Sequence, residues 1–253
     1  MKTPTTNNLS PQPIHKPSKK SEDGFFKSLF LAIFFAVLIR SFLYEPFHIP
    51  SGSMKPNLLI GDYIFVSKFS YGYSRYSFPF GLPFFKDRIF AKQPKRGDMA
   101  VFRLPSNPDI NYVKRIIGLP NDKIQIKEGV IFINDIPLKQ TSDGIYKDTQ
   151  TTKELQQMQE EINPNQYISI LNQEKTDQDD TGIYTVPENQ YFVMGDNRDN
   201  SQDSRFLQMV GYVPAENLVG KVSLIFFSLD LDNVNFANFS KIIRYHRMFL
   251  QPK

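Results

Sequence analysis

Residues 99–133 read MAVFRLPSNPDINYVKRIIGLPNDKIQIKEGVIFI. Four short runs rich in β-branched and aromatic residues stand out: Met99–Arg103, Tyr112–Ile117, Lys123–Ile126 and Val130–Ile133. Turn-forming residues separate two of the breaks, as Gly118-Leu-Pro-Asn-Asp122 and Glu128-Gly129. This is the pattern of strands joined by tight turns. The same pattern extends outward to Tyr63–Ser67, Gln190–Met194 and Lys221–Phe227, with further turns at Gly61-Asp62, Arg96-Gly-Asp98 and Asn134-Asp135. Crossover helices, which a parallel α/β fold requires, are missing. The best soluble helix candidate is Thr152–Glu161. The expected fold is therefore mostly β, mixed or antiparallel. The Lys139–Asp180 stretch is polar, acidic and Gln-rich, and reads with its flanking strands as an inserted smaller domain or a long excursion.

Residues 25–44 read FFKSLFLAIFFAVLIRSFLY. About 20 helical residues span about 30 Å, the thickness of a bilayer's hydrocarbon core. The run is apolar on every face, unlike a half-buried helix of a soluble domain. Tyr44-Glu-Pro-Phe47 offers no small-x-small cleavage site, so an uncleaved anchor is expected rather than a removed leader. Lys27 and Arg40 lie near the ends, where their side chains can reach the interface. Lys2, Lys16, Lys19, Lys20 and Lys27 precede or open the span, which predicts a cytoplasmic N-terminus and a chain outside after Tyr44.

The chain has 253 residues, 40% hydrophobic and 22% charged, with a net charge of +4. The basic residues are dispersed, so a nucleic-acid partner is not expected. There is no Cys, which removes disulfides and thiolate nucleophiles. His15, His48 and His246 are scattered, which argues against a metal site. Phe69–Phe90 is dense in Phe and Tyr and reads either as core or as an aromatic surface in contact with lipid. Ile242–Phe249 reads as a last strand or as a basic segment at the membrane surface.

Just past the apolar span lies His48-Ile-Pro-Ser-Gly-Ser-Met-Lys-Pro56, which places Ser53 nine residues after Tyr44. A Ser framed by Gly and Pro just outside a membrane suggests a nucleophile, Ser53, which needs a base. His48 precedes it in the same segment with no acidic partner indicated. The other base available to a Ser is a neutral Lys. In a strand, Lys114 shares a face with Tyr112 and Ile116, and Arg115 faces the other way with Val113 and Ile117. An apolar face lowers the pKa of a Lys, although a solvent-facing strand Lys has the same spacing. Met194-Gly-Asp-Asn-Arg-Asp-Asn-Ser-Gln-Asp-Ser-Arg205 is a polar loop by composition. Its two Arg and the lack of a closing Glu argue against a calcium loop.

The blocks Ile-Pro-Ser-Gly-Ser-Met, Tyr-Val-Lys-Arg-Ile-Ile-Gly-Leu-Pro and Gly-Asp-Asn-Arg-Asp-Asn-Ser-x-Asp-Ser-Arg resemble, in order, the signature boxes of type I signal peptidases. Arg96–Phe102 and Gly211–Gly220 resemble further segments of that family. The resemblance runs from Phe47 to about Phe227, apart from Lys139–Asp180. It implies Ser53 as the acylated nucleophile and Lys114 as the general base. Ser51, with the Ser53 N–H, is implied as the oxyanion donor, and Ser201 as the residue orienting the base. Asp203 with Arg205, and Asp196 with Arg115, are implied as structural ion pairs. Ile49, Met54, Leu58, Tyr112 and Val113 are implied as walls of shallow pockets for small side chains. Asn111 stands where some relatives carry an acid, and the chain shows one anchor where some carry two.

The implied protein is a membrane-bound Ser/Lys endopeptidase that needs no cofactor or metal. Its partners would be exported preproteins with signal peptides, and membrane lipid. It would sit in the bacterial cytoplasmic membrane as a single-pass protein, catalytic domain on the outer or periplasmic side. The implied division is 1–24 as a disordered cytoplasmic tail, 25–44 as the membrane helix, 45–122 and 186–232 as the catalytic β core, 123–185 as the inserted β domain, and 233–253 as a C-terminal segment. A self-cleaving repressor-type peptidase shares the dyad but should be cytoplasmic with a DNA-binding domain. A catalytically inactive membrane-tethered β binding module is the alternative.

Overall fold

The computed structural model describes residues 19–78, 88–148, 151, 153–172, 175–230 and 242–252. The tail before Lys19 and the centre of the aromatic run, 79–87, lie outside them. Helix α1 spans Lys19–Phe42. Its segment Gly24–Phe42 has a mean hydropathy of 1.9 and is long enough to cross a bilayer. Its Phe and Leu side chains stand exposed, Phe30 at 71%. Such exposure is unfavourable in water and suits a lipid surround. The helix ends at Phe42 rather than Tyr44, because the next residues enter a strand. The chain divides at Leu38, and Ile39–Lys253 forms a second unit.

Along that second unit the strands are β1 (Tyr44–His48), β2 (Asp62–Ser67), β3 (Met99–Leu104), β4 (Asn107–Gly118), β5 (Lys123–Lys127), β6 (Val130–Ile133) and β7 (Ile136–Pro137). They continue as β8 (Gln140–Lys147), β9 (Glu154–Asn163), β10 (Gln166–Leu171), β11 (Tyr184–Thr185), β12 (Gln190–Met194), β13 (Val213–Pro214) and β14 (Leu218–Ser228). Among the described residues they form a seven-stranded sheet in the order β1-β2-β14-β3-β4-β12-β13, a three-stranded sheet β10-β9-β8 and a four-stranded sheet β11-β5-β6-β7. The pairings within these sheets are antiparallel. The seven strands expected from the sequence are present, most of them longer by one to several residues at an end.

One element differs in kind. Thr152–Glu161, expected as a helix, is largely strand β9. Leu155, Met158 and Ile162 imitate helical spacing in a run of strong helix formers. Its neighbours decide otherwise: β8 and β10 pair along its two edges. Glu160 is buried and ion-paired to Arg198, which anchors the strand's register.

Apolar side chains form three clusters. One joins Ile49, Met54 and Leu58 to Ile64, Val66, Met99 and Val101, with Val113 packed against it. A second holds Ala100, Phe102, Ile116 and Val193, with Tyr112 beside it. The third lies between β5, β6, β10 and β12, around Ile117, Ile124, Ile131, Ile170 and Phe192. Strand β4 contributes to all three, so its register fixes what surrounds the site.

The C-terminal segment returns onto the large sheet through single bridges, Leu229 with Ile243 and Ile225 with Leu250. Its arginines turn inward. Arg247 donates to both oxygens of Asp62 at 3.1 and 2.7 Å, and Arg244 donates to the carbonyls of Ile60 and Leu229. Asp62 is fully buried and also accepts from Ser228. Removing it strands two arginines with little access to water, a loss of about 3 kcal/mol. Asp62→Ala should therefore lower the unfolding free energy by that amount in a denaturant titration of the detergent-solubilised chain. A change under about 1 kcal/mol would contradict the docking of this segment.

Candidate active site

The segment after β1 bends into a 3-10 turn, Gly52–Met54, closed by Lys55 N–H donating to the Gly52 carbonyl at 3.1 Å. Met54 is buried at 1% exposure beneath it, and its carbonyl accepts from Leu58 N–H. Burying Met54 fixes the turn, and the turn presents Ser53 outward.

Lys114 comes from the middle of β4. Its Nζ lies 2.6 Å from Ser53 Oγ. The residue is 4% exposed, and its ammonium sits 5.3 Å from the Tyr112 ring centre, as same-face alternation requires. Burial pushes its pKa down from 10.5 to about 8. Asp203 and Asp196 pull it back up, and Arg205 adds to the depression. A large fraction of the amine is thus neutral in mildly alkaline solution and able to accept the Ser53 proton.

Arg115, the next residue, faces the other way. It donates to Asp196 through Nε at 2.7 Å and Nη2 at 2.6 Å, and through Nη1 to the Gly97 carbonyl. Both members of the pair are 1% exposed. This two-pronged pair clamps the 195–205 loop to β4. Within the loop Arg205 donates to Asp203 at 2.8 and 3.0 Å, and Asp203 accepts from Gly195 N–H. Asn197 reaches the nucleophile turn, its N–H donating to the Ser53 carbonyl at 3.1 Å and its Nδ2 to the Gly52 carbonyl. Gly195 is required by space: a Cβ there would overlap the Ser201 hydroxyl and the Ser53 carbonyl.

Most of the residues singled out by sequence meet here. Ser51 Oγ is 3.4 Å from Ser53 Oγ. Ser201 is buried in the loop, its hydroxyl without a hydrogen bond among the described residues and not joined to Lys114. A cleft of about 590 Å³ opens over the pair, lined on one side by Phe47, Ile49, Ser51 and Met54 and on the other by Ile110, Tyr112 and Val113. Leu58, expected as a pocket wall, is fully buried in the core below and does not line the cleft. His48 packs on the Tyr63 ring, 4.9 Å between centroids. Sequence reading passed over Asn197 and Asn57, whose side chains tie the loop and the turn together; nothing in their isolated identity marks them.

Strand β12 pairs with β4 only at Arg115–Gly118, so on that side Ile110–Lys114 has no strand partner among the described residues. An edge of this kind can accept an extended peptide by main-chain hydrogen bonds. Serine, buried amine and open strand edge together are parts that peptide cleavage can use.

Comparison with known proteins agrees with that class. The family described as "Signal peptidase, peptidase S26" matches residues 23–227. The chain is 44% identical over 213 residues to a protein of Rickettsia typhi named signal peptidase I, covering 80% of this chain and 79% of that one. It is 44% identical over 220 residues to the Rickettsia conorii protein of the same name, covering 83% and 80%. A crystal structure of a signal peptidase I from Enterococcus faecalis is 29% identical, with a TM-score of 0.32, covering 52% of this chain and 98% of that one. The chain belongs to the signal peptidase S26 family.

Two outcomes follow from the geometry. The rate constant kcat/KM for a peptide should climb about tenfold per pH unit below about 8 and level off above it, as Lys114 loses its proton; a flat profile down to pH 5 would contradict a titrating amine. Gly195→Ala should lower turnover by about a hundredfold or more by displacing Ser53 from Lys114, and turnover at the wild-type rate would show that the loop yields.

Proposed function

We propose that this chain is a membrane-anchored serine endopeptidase that removes N-terminal signal peptides from exported preproteins, using Ser53 as nucleophile and neutral Lys114 as general base. The observation that carries the dyad is the 2.6 Å contact between Ser53 Oγ and a lysine amine that is 4% exposed. The family assignment supplies the substrate class.

The cleavage region of the preprotein lies extended along Ile110–Lys114. Its small side chains enter the cleft against Ile49, Met54, Tyr112 and Val113. Lys114 takes the Ser53 proton, and Ser53 Oγ attacks the scissile carbonyl. The oxyanion is met by the Ser51 hydroxyl and the Ser53 N–H. Protonated Lys114 then gives its proton to the leaving amine, and the signal peptide remains as an ester on Ser53. Lys114 deprotonates a water, which attacks the ester and frees the enzyme. Ser201 orients the amine when substrate fills the cleft. The division into a core of 45–122 and 186–232 with an inserted 123–185 places both reacting groups in the core.

The membrane helix raises the effective concentration of enzyme and a substrate held in the same bilayer. The Lys residues that precede or open the apolar span support an N-terminus in the cytoplasm of a bacterium and a cleft on the outer face of the cytoplasmic membrane. Membrane lipid is accordingly a partner.

The test is cleavage of a preprotein carrying an Ala-x-Ala site by the detergent-solubilised chain, with Ser53→Ala and Lys114→Met in parallel. The reading expects cut product after the second Ala from the wild type alone, with both variants folded by circular dichroism. Product from either variant would overturn the assigned role of that residue, and no product from the wild type would favour a membrane-tethered binding module.

A further inference from the structure

The sheet β8–β10 does more than lie beside the core. Lys55, two residues after Ser53, sends its ammonium into the end of β8, where it donates to both oxygens of Asp148 at 2.8 and 2.9 Å. The side chains of the pair are 5% and 6% exposed. To reach Asp148, the Lys55 stem folds back over Gly52: a Cβ on Gly52 would lie 3.1 Å from Lys55 Cε and 3.3 Å from Cδ. The stem therefore packs against the residue directly before the nucleophile. Thr151 donates to Asp148 at 2.9 Å and helps hold the carboxylate.

Three further links run the same way. Asn57 Nδ2 donates to the Ser169 carbonyl of β10 at 2.8 Å and to Asp196 at 2.7 Å. Arg198 of the 195–205 loop is paired with buried Glu160 of β9. Strand β10 also receives the loop directly, Leu171 N–H donating to the Asp196 carbonyl at 2.9 Å. The turn is thus gripped from two directions. Asn197 holds the Gly52 and Ser53 carbonyls from the loop side, and Lys55 holds the turn from the β8 side.

We propose that the buried Lys55–Asp148 ion pair is a positioning device through which the sheet β8–β10 sets the placement of Ser53 against Lys114. The proposal rests on the reading of Ser53 as nucleophile. Among the described residues that line the cleft Lys55 is not one; it acts through the backbone of the turn. A buried ion pair adds little net stability over apolar residues of the same size, but it fixes geometry through two directed bonds. Reacting groups must sit within a fraction of an ångström of their productive places, so a small relaxation of the turn is felt in kcat and not in substrate binding.

The experiment uses the full chain in detergent with a preprotein-derived peptide. It compares wild type, Lys55→Met, Asp148→Asn, the double variant Lys55→Met/Asp148→Leu, and Ser53→Ala. Each single variant should lose kcat about tenfold or more with KM within about twofold. The double variant leaves no buried charge unpaired and so folds even where a single does not. Its kcat should stay at the level of the singles, because all of them break one contact. Wild-type kcat in the double variant, or a loss confined to KM, overturns the positioning role while Ser53→Ala remains inactive. Turnover in Ser53→Ala overturns the nucleophile reading itself, and the positioning role with it.

Discussion

The placement of the Lys114 amine out of water, against Ser53, is the constraint on which the rest of the structure depends. An ammonium drawn from 10.5 to about 8 is destabilised by roughly 3 kcal/mol relative to water. That cost has to be met by packing elsewhere, and it explains the density of order around β4. The strand feeds three apolar clusters, so neither its register nor its depth can drift without exposing Ile116 or Ile117. A one-residue slip would carry Lys114 to the side now held by Arg115 and end the contact with Ser53.

The two adjacent cations of β4 show how one strand serves opposite electrostatic ends. Asp196 meets Arg115 with two bonds at 1% exposure. Among the described residues no carboxylate is in hydrogen-bond contact with Lys114; Asp203 and Asp196 act on it at a distance, and Asp203 is already engaged by Arg205. Asp196 and Asp203 thus serve the arginines and leave the lysine poorly compensated. That imbalance leaves an amine that loses its proton near pH 8, as the proposed base role requires.

Much of this was legible in the sequence because strands announce themselves by short-range pattern. Tyr63–Ser67, Met99–Arg103, Val130–Ile133 and Gln190–Met194 are strands in the structure, and their alternation places Lys114 and Arg115 on opposite faces. The resemblance carried Ser53, Lys114 and the two ion pairs, and the geometry brings those residues together. What sequence hid depends on partners far along the chain. Strand β9 reads as helix until β8, β10 and Arg198 are in place. Leu58 has the identity of a pocket wall but lies below the turn that forms the pocket. The segment after Ile242 reads as a last strand or as basic membrane-surface charge until Asp62, 185 residues before Arg247, turns that arginine inward. Lys55 gives no local sign of its partner, 93 residues away.

The most direct test of the account is the titration of Lys114 itself. Heteronuclear NMR of detergent-solubilised protein with isotope-labelled lysine would follow its side-chain resonance with pH, the assignment made by its loss in Lys114→Arg. The account predicts a midpoint near 8. A midpoint at the ordinary 10.5 would mean that the amine is solvated and charged at working pH, and would contradict a Lys114 base.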